Sequence, residues 1–274
     1  MKSKVLFIIL AAVAGLALIA GTPLAAEKTI TIKGSTTVLP IAQACAETFM
    51  NSHLDISISV QGGGSGVGIT SIIDGTADIG DASRPAKDKE FAKARENGFE
   101  LYENVVAMDG IAVIVHPSNP LSALTKEQIK NIYTGNISNW KDLGGKAGKI
   151  VVVSRDSASG TFETFNELAL DGEKVRPDAL LNASNKAVAT TIATTPQAIG
   201  YIGLGYLSNE VKGLKVDNVD PTKANVLNGS YSLSRKLFMY TRGEPKDAVK
   251  TFLDYVTSPE GQKLIDQAGF VGLK

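Results

Sequence analysis

Val151-Val152-Val153-Ser154-Arg155-Asp156-Ser157-Ala158-Ser159-Gly160-Thr161-Phe162 joins a β-forming run to a helical one. Three valines lead into an arginine and then into small hydroxyl and glycine residues. Apolar or aromatic residues at 162, 165, 168 and 169 continue the pattern as helix. The stretch therefore predicts strand, loop and helix, the helix opening with Ser159, Gly160 and Thr161. The first amides of a helix lack intrahelical acceptors, and the helix dipole places partial positive charge there. An anion can be held at such a start with little else. Arg155 adds a planar charged fork suited to a tetrahedral oxyanion. A capped helix after a buried strand, beside a surface arginine, is the plainer reading of this stretch alone.

The arrangement occurs twice more. Thr29 to Lys33 alternates as a strand, and Gly34-Ser35-Thr36-Thr37 opens a helix running through Ile41, Cys45 and Phe49. Ile56, Ile58 and Val60 mark a second alternating strand. Gln61-Gly62-Gly63-Gly64-Ser65-Gly66 follows, then a short helical run from Val67 to Ile73. Glycines let backbone approach a ligand closely, and hydroxyls supply neutral donors. Three such starts aimed at one point would make a dehydrated, hydrogen-bonded oxyanion site.

Strands and helices alternate along the chain, which predicts an α/β fold with mixed, mostly parallel sheets flanked by helices. Gly75 to Arg84 reads as a short strand ending in a polar loop, followed by a charged helix near 87–97. Val105 to Val115 is a long apolar run interrupted by Asp109-Gly110, and Leu237 to Tyr240 is a second such run. Thr125 with Gln128 forms a capping box, and Gly135 stops that helix. Ala198 to Leu207 reads as a glycine-spaced pair of short strands, and 208–230 as polar loops. Two amphipathic helices end the chain, the last capped by Ser258 with Pro259 in its first turn. Runs near Val113 and Leu237 are two crossing strands, which puts the N- and C-terminal parts in one lobe.

The first residues read as an address. Lys2 and Lys4 precede an apolar run to about Ala20, then small residues up to Ala25-Ala26, so 1–26 is expected to be a cleaved signal peptide. The whole chain has 28 basic and 28 acidic residues. The leader takes two lysines, leaving 26 basic against 28 acidic residues, a net of −2. Bulk positive charge therefore cannot draw in an anion, and there is no basic footprint for nucleic acid. One cysteine, Cys45, permits no internal disulfide and lies on an apolar stripe.

Several chemistries fail on residue type. A P-loop needs lysine after its last glycine, but Gly63 to Gly68 is followed by Ile69-Thr70. The dinucleotide fingerprint fails at Ile69, and a nucleophile elbow around Ser65 fails at Val67. The two histidines, His53 and His116, are far apart in sequence from each other, so no metal site is expected and no cofactor is implied. Paired carboxylates such as Asp78 and Asp81 could in principle serve a hydrolase, yet the expectation is a protein that is not an enzyme.

The sequence also resembles the periplasmic phosphate-binding proteins of Pst-type ABC importers. The resemblance lies in KGSTTVLP (33–40), GGSG (63–66), DGTADIGDASR (74–84), IYTGNISNWKDLG (132–144), SRDSASGT (154–161) and AIGYIGLGY (198–206), in the family's order. It implies a two-lobed periplasmic binding protein of the type II-like class, with the two crossing strands as hinge. Lobe 1 would comprise 27–112 plus 236–274, and lobe 2 113–235. It further implies inorganic phosphate as ligand, ABC transporter permease subunits as partners, no cofactor, a monomer, and export to the periplasm. Thr36 and Thr37 would donate from the first helix start, with Ser35 as neighbour, and Ser65 from the second. Arg155 would supply the charged contact, and Ser159, Gly160 and Thr161 the donors of the third. In part of the family an aspartate after the third stretch accepts the proton of phosphate. That position here is Ser83, with Asp81 two residues earlier. The expectation is that Asp81 or Asp156 supplies the acceptor and Ser83 donates, Asp156 having the competing task of orienting Arg155. Another tetrahedral oxyanion, sulfate or molybdate, is the alternative ligand, and a phosphatase the alternative from another class.

Overall fold

The computed structural model describes residues 28–273, so the leader expected at 1–26 lies outside the described residues. In chain order the first part is β1 Lys28–Gly34, α1 Leu39–Ser52, β2 Ile56–Gly62, α2 Ser65–Ile73, β3 Ile79–Ala82, α3 Asp88–Glu96 and β4 Leu101–Val115. The middle is β5 Ala123–Leu124, α4 Lys126–Thr134, β6 Val151–Arg155, α5 Gly160–Leu170, β7 Leu180–Asn182, α6 Asn185–Thr194 and β8 Ala198–Gly203. The end is β9 Lys212–Gly213, β10 Lys215–Val216, α7 Lys223–Leu227, β11 Ser234–Arg242, α8 Asp247–Thr257 and α9 Pro259–Gln267.

One mixed sheet runs β2-β1-β3-β11-β4-β8-β6-β7. Its two wings are parallel, β1 with β2 and β3, and β6 with β7 and β8. Its centre is antiparallel, because β4 and β11 pair with each other and with the wings' inner strands. The 15-residue β4 explains how one strand serves both wings: Leu101 to Gly110 pairs with β11, and Ile111 to Val115 pairs with β8. The apolar core follows the same division. One cluster is drawn from residues between Ile111 and Leu233, with Val271. The others come from Ile30 to Ala107 and Leu237 to Phe270. Each fully buried Ile or Phe in them is worth about 1.5–3 kcal/mol relative to exposure, so each wing has its own reason to fold. This is a two-lobed α/β architecture with β4 and β11 crossing between the lobes.

Local chemistry accounts for the element ends. Thr125 Oγ1 accepts from the Gln128 amide at 3.1 Å while Gln128 Oε1 accepts from the Thr125 amide at 2.9 Å. Gly135 closes that helix at φ 94°, where a side chain would be strained. Three expectations need correction. The first helix opens at Leu39 rather than at Gly34 to Thr37, because Ser35 Oγ accepts from the Thr37 and Val38 amides and holds a turn there. Residues 198–207 form one strand and a single 3-10 turn, since the Leu204 amide is drawn out of the sheet to Asp109 Oδ1 at 2.9 Å. Residues 208–230 are not all loop: β9, β10 and α7 lie there, built on partners distant in sequence.

Candidate anion-binding site

The three helix starts meet. β1 ends at Gly34, where a Cβ would lie 2.2 Å from the Asp81 carbonyl and 2.8 Å from Gly68 Cα. Only glycine lets β1, β3 and α2 close this tightly. The Ser35 amide donates to the Asp81 carbonyl at 2.8 Å, fixing the turn that carries Thr36 and Thr37. At the second start Gly66 donates its amide to the Ala158 carbonyl at 3.0 Å, a hydrogen bond from one lobe to the other. Ser65 Oγ accepts from the Ser83 amide at 2.9 Å and lies 3.3 Å from Ser83 Oγ. The third start touches both. Thr161 Oγ1 is 2.9 Å from Thr37 Oγ1. A Cβ on Gly160 would lie 2.2 Å from Ser65 Oγ and 2.9 Å from Ser83 Oγ.

Thr36, Thr37, Ser65, Ser83, Arg155, Ser159 and Thr161 are all buried. The amides of Thr36, Ser65, Gly160 and Thr161 find no acceptor among the described residues. Buried amides are ordinarily paired, so a cluster of free ones marks a place that awaits an acceptor. Arg155, at the end of β6, points the same way. Its Nε donates to the Asn182 carbonyl at 2.8 Å, and its Nη2 to the Ala183 carbonyl at 3.0 Å and to Thr36 Oγ1 at 3.3 Å. Its Nη1 is buried with no partner. Burial lowers the Arg155 pKa, nearby Tyr201 and Asp156 opposing, but an arginine stays charged in protein. It forms no ion pair with a carboxylate among the described residues, so the charge is local and unneutralised.

The remaining expected residues are placed differently. The hydroxyl of Ser35 is spent on its own turn and that of Ser159 on capping α5, the latter accepting from the Phe162 amide at 3.2 Å. Asp156 makes no ion pair with Arg155; its Oδ1 accepts from the Ala158 amide at 2.9 Å. Asp81 is fully buried, its Oδ1 has no partner, and burial pushes its carboxyl well above the usual range. Its carboxyl bonds to none of the other site residues. Burial, reinforced by the charge of Asp81, pushes the Cys45 thiol up to about 12, so that thiol is inert.

Three residues at the site carry no local signal in the sequence strong enough to name them. Asn185, at the start of α6, donates through Nδ2 to Thr36 Oγ1 and Thr37 Oγ1 at 3.1 and 3.0 Å. Arg235, on β11, donates through Nη2 to Thr37 Oγ1 at 3.2 Å and through Nη1 to the Ser83 carbonyl at 3.2 Å. Asp109, opposite it on β4, takes Arg235 Nε and Nη2 on Oδ2 at 3.0 and 2.7 Å. Burial raises the Asp109 pKa, Arg235 opposing, and burial lowers that of Arg235, Asp109 opposing. The charged residue inside the apolar 105–115 run was the available hint of this pair.

A family model described as the PBP superfamily domain matches residues 20–260. The phosphate-binding protein PstS of Bacillus subtilis is 38% identical over 248 residues, covering 90% of this chain and 81% of that one. The chain belongs to the PstS phosphate-binding protein family. The PstS of Borreliella burgdorferi is 32% identical over 260 residues, with 90% of this chain and 91% of that one covered. A protein of Clostridium perfringens solved with phosphate bound superposes at a TM-score of 0.85 with 37% identity, covering 90% of this chain and all of that one.

In this PstS-family chain the lobes also meet outside the site. Arg84 is held by Glu90 at 2.8 Å and reaches Glu163, in the first turn of α5, at 2.9 Å. Lys87 reaches the same Glu163 oxygen at 2.6 Å. The helix that presents Gly160 and Thr161 is thus tied to the opposite lobe by charge.

Proposed function

We propose that the chain captures inorganic phosphate in the periplasm and delivers it to an ABC transporter permease, closing its two lobes, 27–112 plus 236–274 and 113–235, over the anion. The observation that carries this reading is the meeting of free, buried amides from three helix starts with the unpartnered Arg155 Nη1. Hinge closure of two lobes is a known type of transition, and the cross-lobe Gly66 to Ala158 bond is one contact it would make. Relatives of this chain are named as binding proteins, in keeping with a carrier that is not an enzyme. The run of lysines and apolar residues before Ala26 supports export, and a chain that binds no nucleic acid fits the near-neutral charge.

The test is calorimetry of the mature chain in phosphate-free buffer with phosphate, sulfate, arsenate and molybdate. One phosphate per chain, uncompeted by equal sulfate, is the expected outcome. Sulfate competing equally would reassign the protein to another oxyanion.

Phosphate differs from sulfate in carrying a proton, which needs an acceptor. Asp81 is the stronger of the two candidates, because its Oδ1 is buried and free whereas Asp156 Oδ1 already has the Ala158 amide. Asp81→Asn should raise the sulfate-to-phosphate affinity ratio by about tenfold or more, one unpaired polar group being worth roughly 1–3 kcal/mol. A ratio that stays put clears Asp81 of that duty.

A further inference from the structure

The geometry points to Asn185 as the residue that sets the direction of the hydroxyl protons at the anion site, so that Thr36 and Thr161 meet the ligand only as donors. This deepens the phosphate-capture reading and rests on it. Asn185 is fully buried. Its Oδ1 accepts from the Gly203 amide at 3.1 Å. A backbone amide can only donate, so the orientation of the side-chain amide is fixed, with Nδ2 toward the threonines. Nδ2 then gives one proton to each, at 3.1 Å to Thr36 Oγ1 and 3.0 Å to Thr37 Oγ1.

A hydroxyl oxygen accepts on two lone pairs and donates one proton. At Thr37 the second lone pair faces Arg235 Nη2 at 3.2 Å. Both neighbours are obligate donors, so the Thr37 proton has one partner left, Thr161 Oγ1 at 2.9 Å. Thr161 accepts that proton and keeps its own for a ligand. Thr36 is filled in the same way, by Asn185 Nδ2, by Arg155 Nη2 at 3.3 Å and, at a longer 3.4 Å, by the Asn185 backbone amide, all of them obligate donors. Its proton is likewise left over.

A wall made only of donors accepts bare oxyanion oxygens and rejects a protonated one. The P–OH of hydrogen phosphate therefore finds no acceptor for its proton on this wall and turns that proton elsewhere in the site. Asn185 does not need to touch the anion to do this. It is a positioning residue, acting through Thr36 and Thr37.

The experiment is a pair of double-variant cycles read by phosphate calorimetry, with circular dichroism melting as the check on folding. Asn185→Ala should weaken phosphate binding about 10- to 100-fold, the range for a hydrogen bond serving a charged group. In a Thr37→Val background the same change should cost several-fold less, because contacting residues couple, the remainder being what Asn185 does through Thr36. In a Ser65→Ala background, which shares no bond with Asn185, the full cost should persist. A full cost in the Thr37→Val background, or Asn185→Ala binding like the unmodified protein, overturns the inference. Should alanine loosen the fold, Asn185→Asp keeps the volume and the Gly203 bond while turning two donors into acceptors. It should bind phosphate at least about 100-fold more weakly, like charge at this range costing several kcal/mol, and affinity within tenfold overturns the inference. Unmodified protein that takes up no phosphate sinks the parent reading as well, whereas additive cycles in a phosphate binder sink this one alone.

Discussion

Arg155→Ala should weaken phosphate binding by roughly 30- to 5,000-fold, the loss of a buried charged partner costing about 2–5 kcal/mol. Three of its features set that size. The guanidinium is buried, two of its nitrogens are fixed by the Asn182 and Ala183 carbonyls, and Nη1 has no protein acceptor. The side chain is therefore pre-organised, and an arriving anion gains its charge without having to order it. Arg155→Lys should recover only part of the loss, since an ammonium cannot hold two carbonyls and reach the anion with the geometry of a fork. The free protein tells the complementary half. A buried charge with no counter-ion costs desolvation, so the alanine variant should melt no lower than the unmodified protein when phosphate is absent. What it should lose is the stabilisation by phosphate, which for a site saturated at 1,000 times its Kd is about 4.1 kcal/mol. Calorimetry and melting with and without phosphate check both halves. Affinity within tenfold of the unmodified protein would remove Arg155 from the site.

The parts legible in the sequence are those whose chemistry is local. Each helix start carries its glycines and hydroxyls within a few residues of the strand it follows, which is why Ser65, Gly160 and Thr161 stand out in the sequence alone. The same locality misleads at Ser35, where a serine before a helix reads as its cap. Here its Oγ instead holds a turn ahead of a helix opening at Leu39. Asn185 does not stand out, because Ala183-Ser184-Asn185 looks like an ordinary helix start, and Ser184 does cap α6, accepting from the Ala187 amide. Only the return of the chain past Gly203 reveals what Asn185 faces. Asp109 and Arg235 are 126 residues apart, and nothing in either neighbourhood names the other. Their pairing follows from the register of β4 against β11, which depends on two strands distant in the chain coming together. Asp109 also explains why 198–207 is not a pair of strands, because its Oδ1 takes the Leu204 amide and bends the chain off the sheet.

That dependence makes Asp109→Ala the variant with the largest expected effect on the fold. It strips Arg235 of its counter-ion and leaves the Leu204 amide without its acceptor, both inside the protein. Breaking a buried pair in this way costs about 3–5 kcal/mol, which at about 2–4 °C per kcal/mol for a chain of this size lowers the melting temperature by roughly 6–20 °C. A fall under about 3 °C would show that water or a shifted Arg235 compensates, the sort of relaxation that softens buried charges. The double variant Asp109→Leu with Arg235→Met separates stability from function. Replacing a buried pair with apolar residues of similar volume is often neutral or stabilising, so much of the lost melting temperature should return. Phosphate affinity should not return with it. Arg235 fills a lone pair of Thr37 and holds the Ser83 carbonyl, and methionine can do neither. Stability regained with weak phosphate binding means that the pair is retained for the geometry of the site. Both regained means that the site keeps its shape without Arg235, and Thr37 then owes its orientation to Asn185 alone.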